Sequence, residues 1–177
     1  MRKLWLTAFA VAIGLLSGPA CSEPVDLAGW REIAWPYPRD GWPAGRAFRC
    51  DSELCGGETE VYMRPKIGFC NCDSGVADDD EVDRVADLDL ISERFVPREP
   101  GKPVELADMR GRSRSYDLAM TDGSRHAAIG IAVSHRCDLL VAVAQGRGAV
   151  TDVERVARAF LATSAMTRWM ISAMGGS

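Results

Sequence analysis

Residues 126–146, HAAIGIAVSHRCDLLVAVAQG, limit the possible folds of this chain more than any other stretch. Ile129, Ile131 and Val133 alternate with small residues, Leu139, Val141 and Val143 repeat the pattern, and the polar SHRCD separates the two runs. Apolar residues at every second position describe a strand with one buried face, and two such runs about a polar tip describe a β-hairpin. The chain is therefore committed to an antiparallel sheet. Cys137 shares the parity of Leu139, Val141 and Val143, so it is expected to face the core.

The flanking stretches supply further elements. Residues 58–69, ETEVYMRPKIGF, alternate well enough for two short strands broken at Pro65. Residues 104–120 read as one strand, with Arg110, Arg112, Arg114 and Tyr116 on one face. Residues 78–92 suit a short helix: Asp78 or Asp79 caps it, acids fill its first turn, and Val82, Val85 and Leu88 recur at spacing three. The chain closes in one long helix opened by Thr151 and Glu154 as a capping box, with Val153, Val156, Ala157, Phe160, Ser164 and Ile171 inward and Gly175 and Gly176 as the stop. Strands in a run with helices outside them predict a single α+β domain, a mainly antiparallel sheet packed by that long C-terminal helix and stapled by disulfides.

The N-terminus reads as an export signal. Arg2 and Lys3 precede an apolar run over residues 4–16 and then small residues, a layout too short for a membrane anchor. Residues 1–20 are read as the signal peptide, residues 21–49 as a Trp- and Pro-rich arm and residues 50–177 as the α+β domain. Gly18 and Ala20 suit cleavage before Cys21; alternatively Cys21 is a lipidated first residue, although Gly18 stands where such sites carry an aliphatic residue. A periplasmic location follows, with no transmembrane segment after cleavage. Within the arm, residues 25–34 allow one or two helical turns through Leu27, Trp30 and Ile33, and Pro36, Pro38 and Pro43 then force an extended path. Trp30, Trp35 and Trp42 are expected to cap the core.

Export decides how the thiols are read, because an oxidising compartment makes cysteines at mixed spacings a disulfide framework. Cys50, Cys55, Cys70, Cys72 and Cys137 are the candidates. Cys70 and Cys72 would point to opposite faces of a strand, so bridges from Cys50 or Cys55 to Cys70 or Cys72 are expected. Cys137 is left as a buried thiol, or it pairs with the cluster and leaves Cys70 or Cys72 free. The alternative is a copper or zinc site on Cys50, Cys55, Cys70 and Cys72 with Met63 as a thioether donor, although neither pair has the two-residue spacing of a zinc knuckle.

The charged residues exclude more than they assign. Cleavage after residue 20 removes Arg2 and Lys3 and no acid, moving the formal charge from -4 to -6 and arguing against a nucleic-acid partner. The acids at Asp78, Asp79, Asp80, Glu81, Asp83, Asp87 and Asp89 lack the spacing of a calcium loop and read as a solvated helix face. Arg110, Arg112 and Arg114 could bind an anion or face the acidic helix, and strand-edge protection is the default reading. Met166, Met170 and Met174 recur at helical spacing, as packing residues do. His126 and His135 lack a neighbouring motif that pairs a nucleophile with a base.

The runs KIGFCNC and GVADDDEVDRVADLDLI, with GRAFRC, GRSRSY and the closing helix, resemble a group of exported proteobacterial proteins without an assigned activity. The resemblance implies a single exported domain and carries no catalytic residue or ligand. The function expected from the sequence is a periplasmic, non-catalytic binding or accessory module for a protein or small molecule, needing no cofactor. Copper or zinc handling, or thiol redox chemistry, is the alternative.

Overall fold

The computed structural model describes residues 29–38, 40–50, 52–68 and 72–175. The expected signal peptide, Cys21 and Cys70 lie outside the described residues. The strands are β1 (Trp30–Ile33), β2 (Arg46–Cys50), β3 (Thr59–Lys66), β4 (Phe95–Pro97), β5 (Lys102–Leu106), β6 (Met109–Ala119), β7 (Arg125–His135) and β8 (Asp138–Gly146). They form one antiparallel sheet in the order β1-β2-β3-β8-β7-β6-β4, with β5 beside β4 on the same edge of β6. The helices are α1 (Ser52–Cys55), α2 (Asp79–Val85), α3 (Leu88–Ile91), α4 (Val150–Leu161) and α5 (Ser164–Ala173).

The predicted hairpin is β7 and β8, turning through Arg136 and Cys137 with Arg136 at φ 56°. Cys137 sits in that turn, half-buried, and not in the core as its parity suggests. A tight turn interrupts the alternation one residue before the strand resumes. Both faces of the hairpin are covered. Ile129, Ile131, Leu140, Ala142 and Ala144 pack under α4 and α5, and Ala128, Ala132, Leu139, Val141 and Val143 under α2 and α3. Small residues let the second layer come close: a Cβ at Gly130 would stand 3.0 Å from that of Ala86.

Several expected elements are redrawn. Residues 104–120 are not one strand but the β5–β6 hairpin, bent at Ala107 and Asp108 with φ of 50° and 62°. β3 continues through Pro65: β2 ends opposite Met63, so residues 64–66 pair with β8 alone and a missing N–H is tolerated on that open edge. Trp30–Ile33 is a strand and not a helical turn, because pairing with β2 satisfies its backbone. β1 and β2 thus bring part of the expected arm into the sheet. The remaining stretch, residues 34–45, is termed the strap; its described residues, 34–38 and 40–45, have no regular secondary structure.

The long closing helix is two helices. Thr163 caps α5 by accepting from the Met166 N–H at 3.4 Å, and its hydroxyl competes with continuation of α4. The break rotates the inner stripe, so Met166, Met170 and Met174 are buried while Ser164 and Ile171 are exposed. Packing of the methionines is as expected. The capping box is not formed, since Ala149 is the N-cap of α4 and Glu154 pairs with Arg158. Phe160 lies between Trp30 at 4.3 Å and Phe48 at 4.9 Å, joining α4 to the β1–β2 end of the sheet.

The acidic helix is shorter than expected. Asp78 caps α2 through the Glu81 N–H, and Asp87 interrupts it in the left-handed region at φ 59°, a conformation Asp tolerates better than most residues. No helix among the described residues is long and apolar enough to cross a membrane.

Candidate functional site

Alternation along β3 generates the site. Val61 and Met63 point into the α4–α5 core, so Glu60, Tyr62, Arg64 and Lys66 form a polar row on the other face. There α2 and α3 cover β6, β7 and β8 but not the whole of β3. The strap crosses Tyr62, Arg64 and Lys66 through Trp35, Tyr37, Asp40 and Trp42. Glu60 is left at one end, in a cleft of about 240 Å³ lined by Arg49, Glu58, Glu60, Met120, His126, Gln145 and Arg147.

Strand register brings the cleft groups together. Arg49 lies opposite Glu60, and Glu60 opposite Gln145. Glu60 accepts from Arg49 Nε at 2.6 Å, from Gln145 Nε2 at 2.8 Å and from the Tyr62 hydroxyl. Since the Gln145 amide donates to Glu60, its Oε1 faces His126 Nδ1, which therefore carries the ring proton. His126 Nε2 is left as an acceptor toward the cleft, met by Arg147 Nε at 3.3 Å. Ser124 Oγ also lies 3.3 Å from Nε2, but it donates to Asp122 at 2.6 Å.

These contacts suit recognition better than proton transfer. Burial raises the Glu60 pKa, but hydrogen bonds from Tyr62, Arg49 and Gln145 outweigh it and hold the carboxyl below its ordinary value. Burial pushes Tyr37 up to about 12 and Tyr62 far above the usual phenol range, so both hydroxyls stay protonated. Ser124 and His126 form no catalytic triad, because the second ring nitrogen meets an amide and not a carboxylate.

Outside the cleft, the Gly101 N–H and then the Arg112 guanidinium lower the Asp79 pKa, and the Arg64 guanidinium lowers that of Asp40. With Glu60, these acids bind protons less readily folded than unfolded. Their stabilisation is complete above the unfolded pKa of about 4 and is lost as pH falls through the folded values. Urea-unfolding free energy is expected to be level from roughly pH 7 to 5 and to fall steeply below about pH 4. Equal stability at about pH 6 and about pH 3 would refute this assignment.

The structure separates Cys50 and Cys55 from Cys72. Cys50 pairs with Cys55, Cα atoms 6.2 Å apart, because the single turn of α1 folds the chain back immediately after β2. Cys72 pairs with Cys137 at 4.4 Å, because the segment after β3 returns to the hairpin tip, where the Gly68 N–H also donates to Asp138. The expected Cys50 or Cys55 to Cys72 bridge is thus corrected. Eight residues of β3 intervene, about 25 Å at the rise of a strand. Met63 is buried on the opposite face of β3 from the polar row. No group of three His, Cys, Asp or Glu that could hold a metal ion occurs among the described residues.

The arginine stripe does not guard an edge, since β6 is paired on both sides. Arg112 reaches Asp79 at 2.6 Å, Arg114 reaches Asp83 at 2.7 Å and the Tyr116 hydroxyl donates to Asp83, while Arg110 is exposed. The acids are correspondingly not one solvated face: Asp79, Asp83 and Asp87, spaced four apart, turn toward cations of the sheet. His135 is exposed at the far end of β7. Glu60, Tyr62 and Gln145 were missed by sequence reasoning, although the polar parity of ETEVYMRPK and the lone Gln ending LLVAVAQ were visible signals.

No protein-family model matches the chain, and no curated protein matches it. Among solved structures it is similar to the crystal structure of PA94, a protein of unknown function from Pseudomonas aeruginosa, with a TM-score of 0.38 and 12% identity over 76% of this chain and 81% of that one. A likeness at that level carries no functional argument.

Proposed function

We propose that the mature protein is an exported, periplasmic, non-catalytic binding module whose recognition surface is the Glu60–Gln145–His126 cleft. One observation carries this reading: the Gln145 amide bridges Glu60 and His126, fixing an ionised carboxylate and an imidazole acceptor on rigid strands, with Arg49 and Arg147 at the rim. A preorganised set of donors and acceptors of both charge signs suits a small zwitterion or the polar end of a peptide. Location outside the cytoplasm is supported by the signal-like N-terminus and the two cysteine pairs.

The test is an amide-shift titration of the disulfide-intact protein with free amino acids and short peptides. Shifts centred on His126, Gln145 and Arg147, saturating without any new product, are expected. Shifts confined to other surfaces, or conversion of a probe, would sink the reading. A second reading, thiol redox chemistry, is favoured by the solvent exposure of Cys72 in its bond to Cys137. Intact mass after thiol labelling, with metal analysis of the same sample, decides between them: labelled native thiols or stoichiometric copper or zinc would favour the second.

A further inference from the structure

Arg64 is the most deeply buried cation among the described residues, 1% exposed, and its immediate neighbourhood is balanced by two carboxylates of different origin. Asp87 belongs to the body of the fold. It receives Arg64 at 2.7 and 2.8 Å and Lys66 at 2.6 Å, so one carboxylate serves two cations. Asp40 belongs to the strap and takes both terminal nitrogens of Arg64, at 2.8 and 2.6 Å, in the two-pronged geometry that any free carboxylate adopts on a guanidinium. Without Asp40, Arg64, Lys66 and Asp87 together carry one net positive charge.

The strap is held mainly through its side chains. Backbone hydrogen bonds to the rest of the fold are absent from residues 34–38, 40, 41 and 43–45 among the described residues. Its attachments include the side chains of Trp35, 5.6 Å from Arg64, Trp42, 5.9 Å from Lys66, Tyr37 against Tyr62, and Asp40 itself. Asp40, Gly41, Pro43 and Ala44 are exposed. Segments with few backbone hydrogen bonds open locally at a lower free energy than the strands of a sheet.

We propose that Arg64 and Lys66 form a receptor for a ligand carboxylate, that the strap is its displaceable cover, and that Asp40 occupies the receptor in the ligand's place. Trp35 and Trp42, carried on the strap, would leave Arg64 and Lys66 with it and so report the ligand's arrival. The receptor uses no residue of the cleft, so its failure leaves the cleft reading standing. An internal carboxylate on a short strap competes at high effective concentration, which makes the resting protein a weak binder.

Asp40→Asn in the disulfide-intact protein tests this, because it removes the charge and keeps the shape. With succinate as the probe, read by calorimetry and tryptophan fluorescence, Asp40→Asn is expected to bind at least about tenfold more tightly than the parent, a gain in keeping with charge-assisted pairing. Adding Lys66→Gln should abolish the gain. A folded Asp40→Asn that binds no better than the parent overturns the proposal, and so does a gain that survives Lys66→Gln. If Asp40→Asn fails to fold, hydrogen exchange of the parent decides: amides of Trp35, Tyr37, Gly41 and Trp42 should exchange far faster than those of β7 and β8, and protection equal to the sheet overturns the displaceable cover.

Discussion

Arg64→Met is expected to cost about 3–5 kcal/mol of folding free energy, the range for removing one partner of a buried ion pair. Methionine fills much of the volume but takes from Asp40 its guanidinium and leaves Asp87, only 10% exposed at its side chain, with Lys66 alone. Against a typical domain stability of about 5–15 kcal/mol, the loss is large enough to move a urea midpoint by about a fifth or more. Arg98→Ala is the control. Its pairing with Asp117 is 43% and 52% exposed, and surface pairs are worth about 0–1 kcal/mol. Comparable losses for the two variants would show that the Arg64 network is not the buried anchor described above.

Cys72→Ser with Cys137→Ser should be nearly as damaging. The bond spans 65 residues, and the chain-entropy relation assigns a loop of that length about 4 kcal/mol, against about 2 kcal/mol for the 5-residue Cys50–Cys55 loop. The double serine variant is therefore expected to lose roughly twice the stability of Cys50→Ser with Cys55→Ser. Denaturant unfolding of both, alongside the oxidised parent, checks the ratio. If the short-loop variant proves the less stable, the long bond does not act through the unfolded chain.

Both predictions turn on residues whose types were visible in the sequence and whose partners were not. Parity was legible: it placed Arg112, Arg114 and Tyr116 on the face where they meet α2, and placed the apolar residues of β7 and β8 in the core. So was the Asp78 cap, since a cap is a contact across three residues. Contacts between distant segments were not legible. Arg64 meets Asp40 and Asp87, each more than 20 residues away, and Glu60 meets Gln145 across 85. No periodicity encodes which two rows lie side by side.

Errors arose where a local pattern could continue but tertiary contacts ended it. The helical period runs on from α4 past Thr163, yet burial of Met166 and Met170 rewards a shifted phase. The alternation within residues 104–120 hides the β5–β6 turn, which shifts its phase so that Val104 and Met109 share one core. Trp30 and Ile33 stand at helical spacing, but β2 offers that stretch a strand partner.

By itself the sequence determined an antiparallel α+β chain with a buried hairpin, a capped acidic helix and a stock of cysteines suited to an oxidising compartment, because each rests on spacing within one segment. Only the tertiary structure decided that Cys72 joins Cys137, that the strap covers Arg64 and Lys66, and that Glu60, Gln145 and His126 share a cleft. Each of these depends on the order of the strands across the sheet. That order is set by the burial of both faces of the whole sheet at once, not by any single stretch.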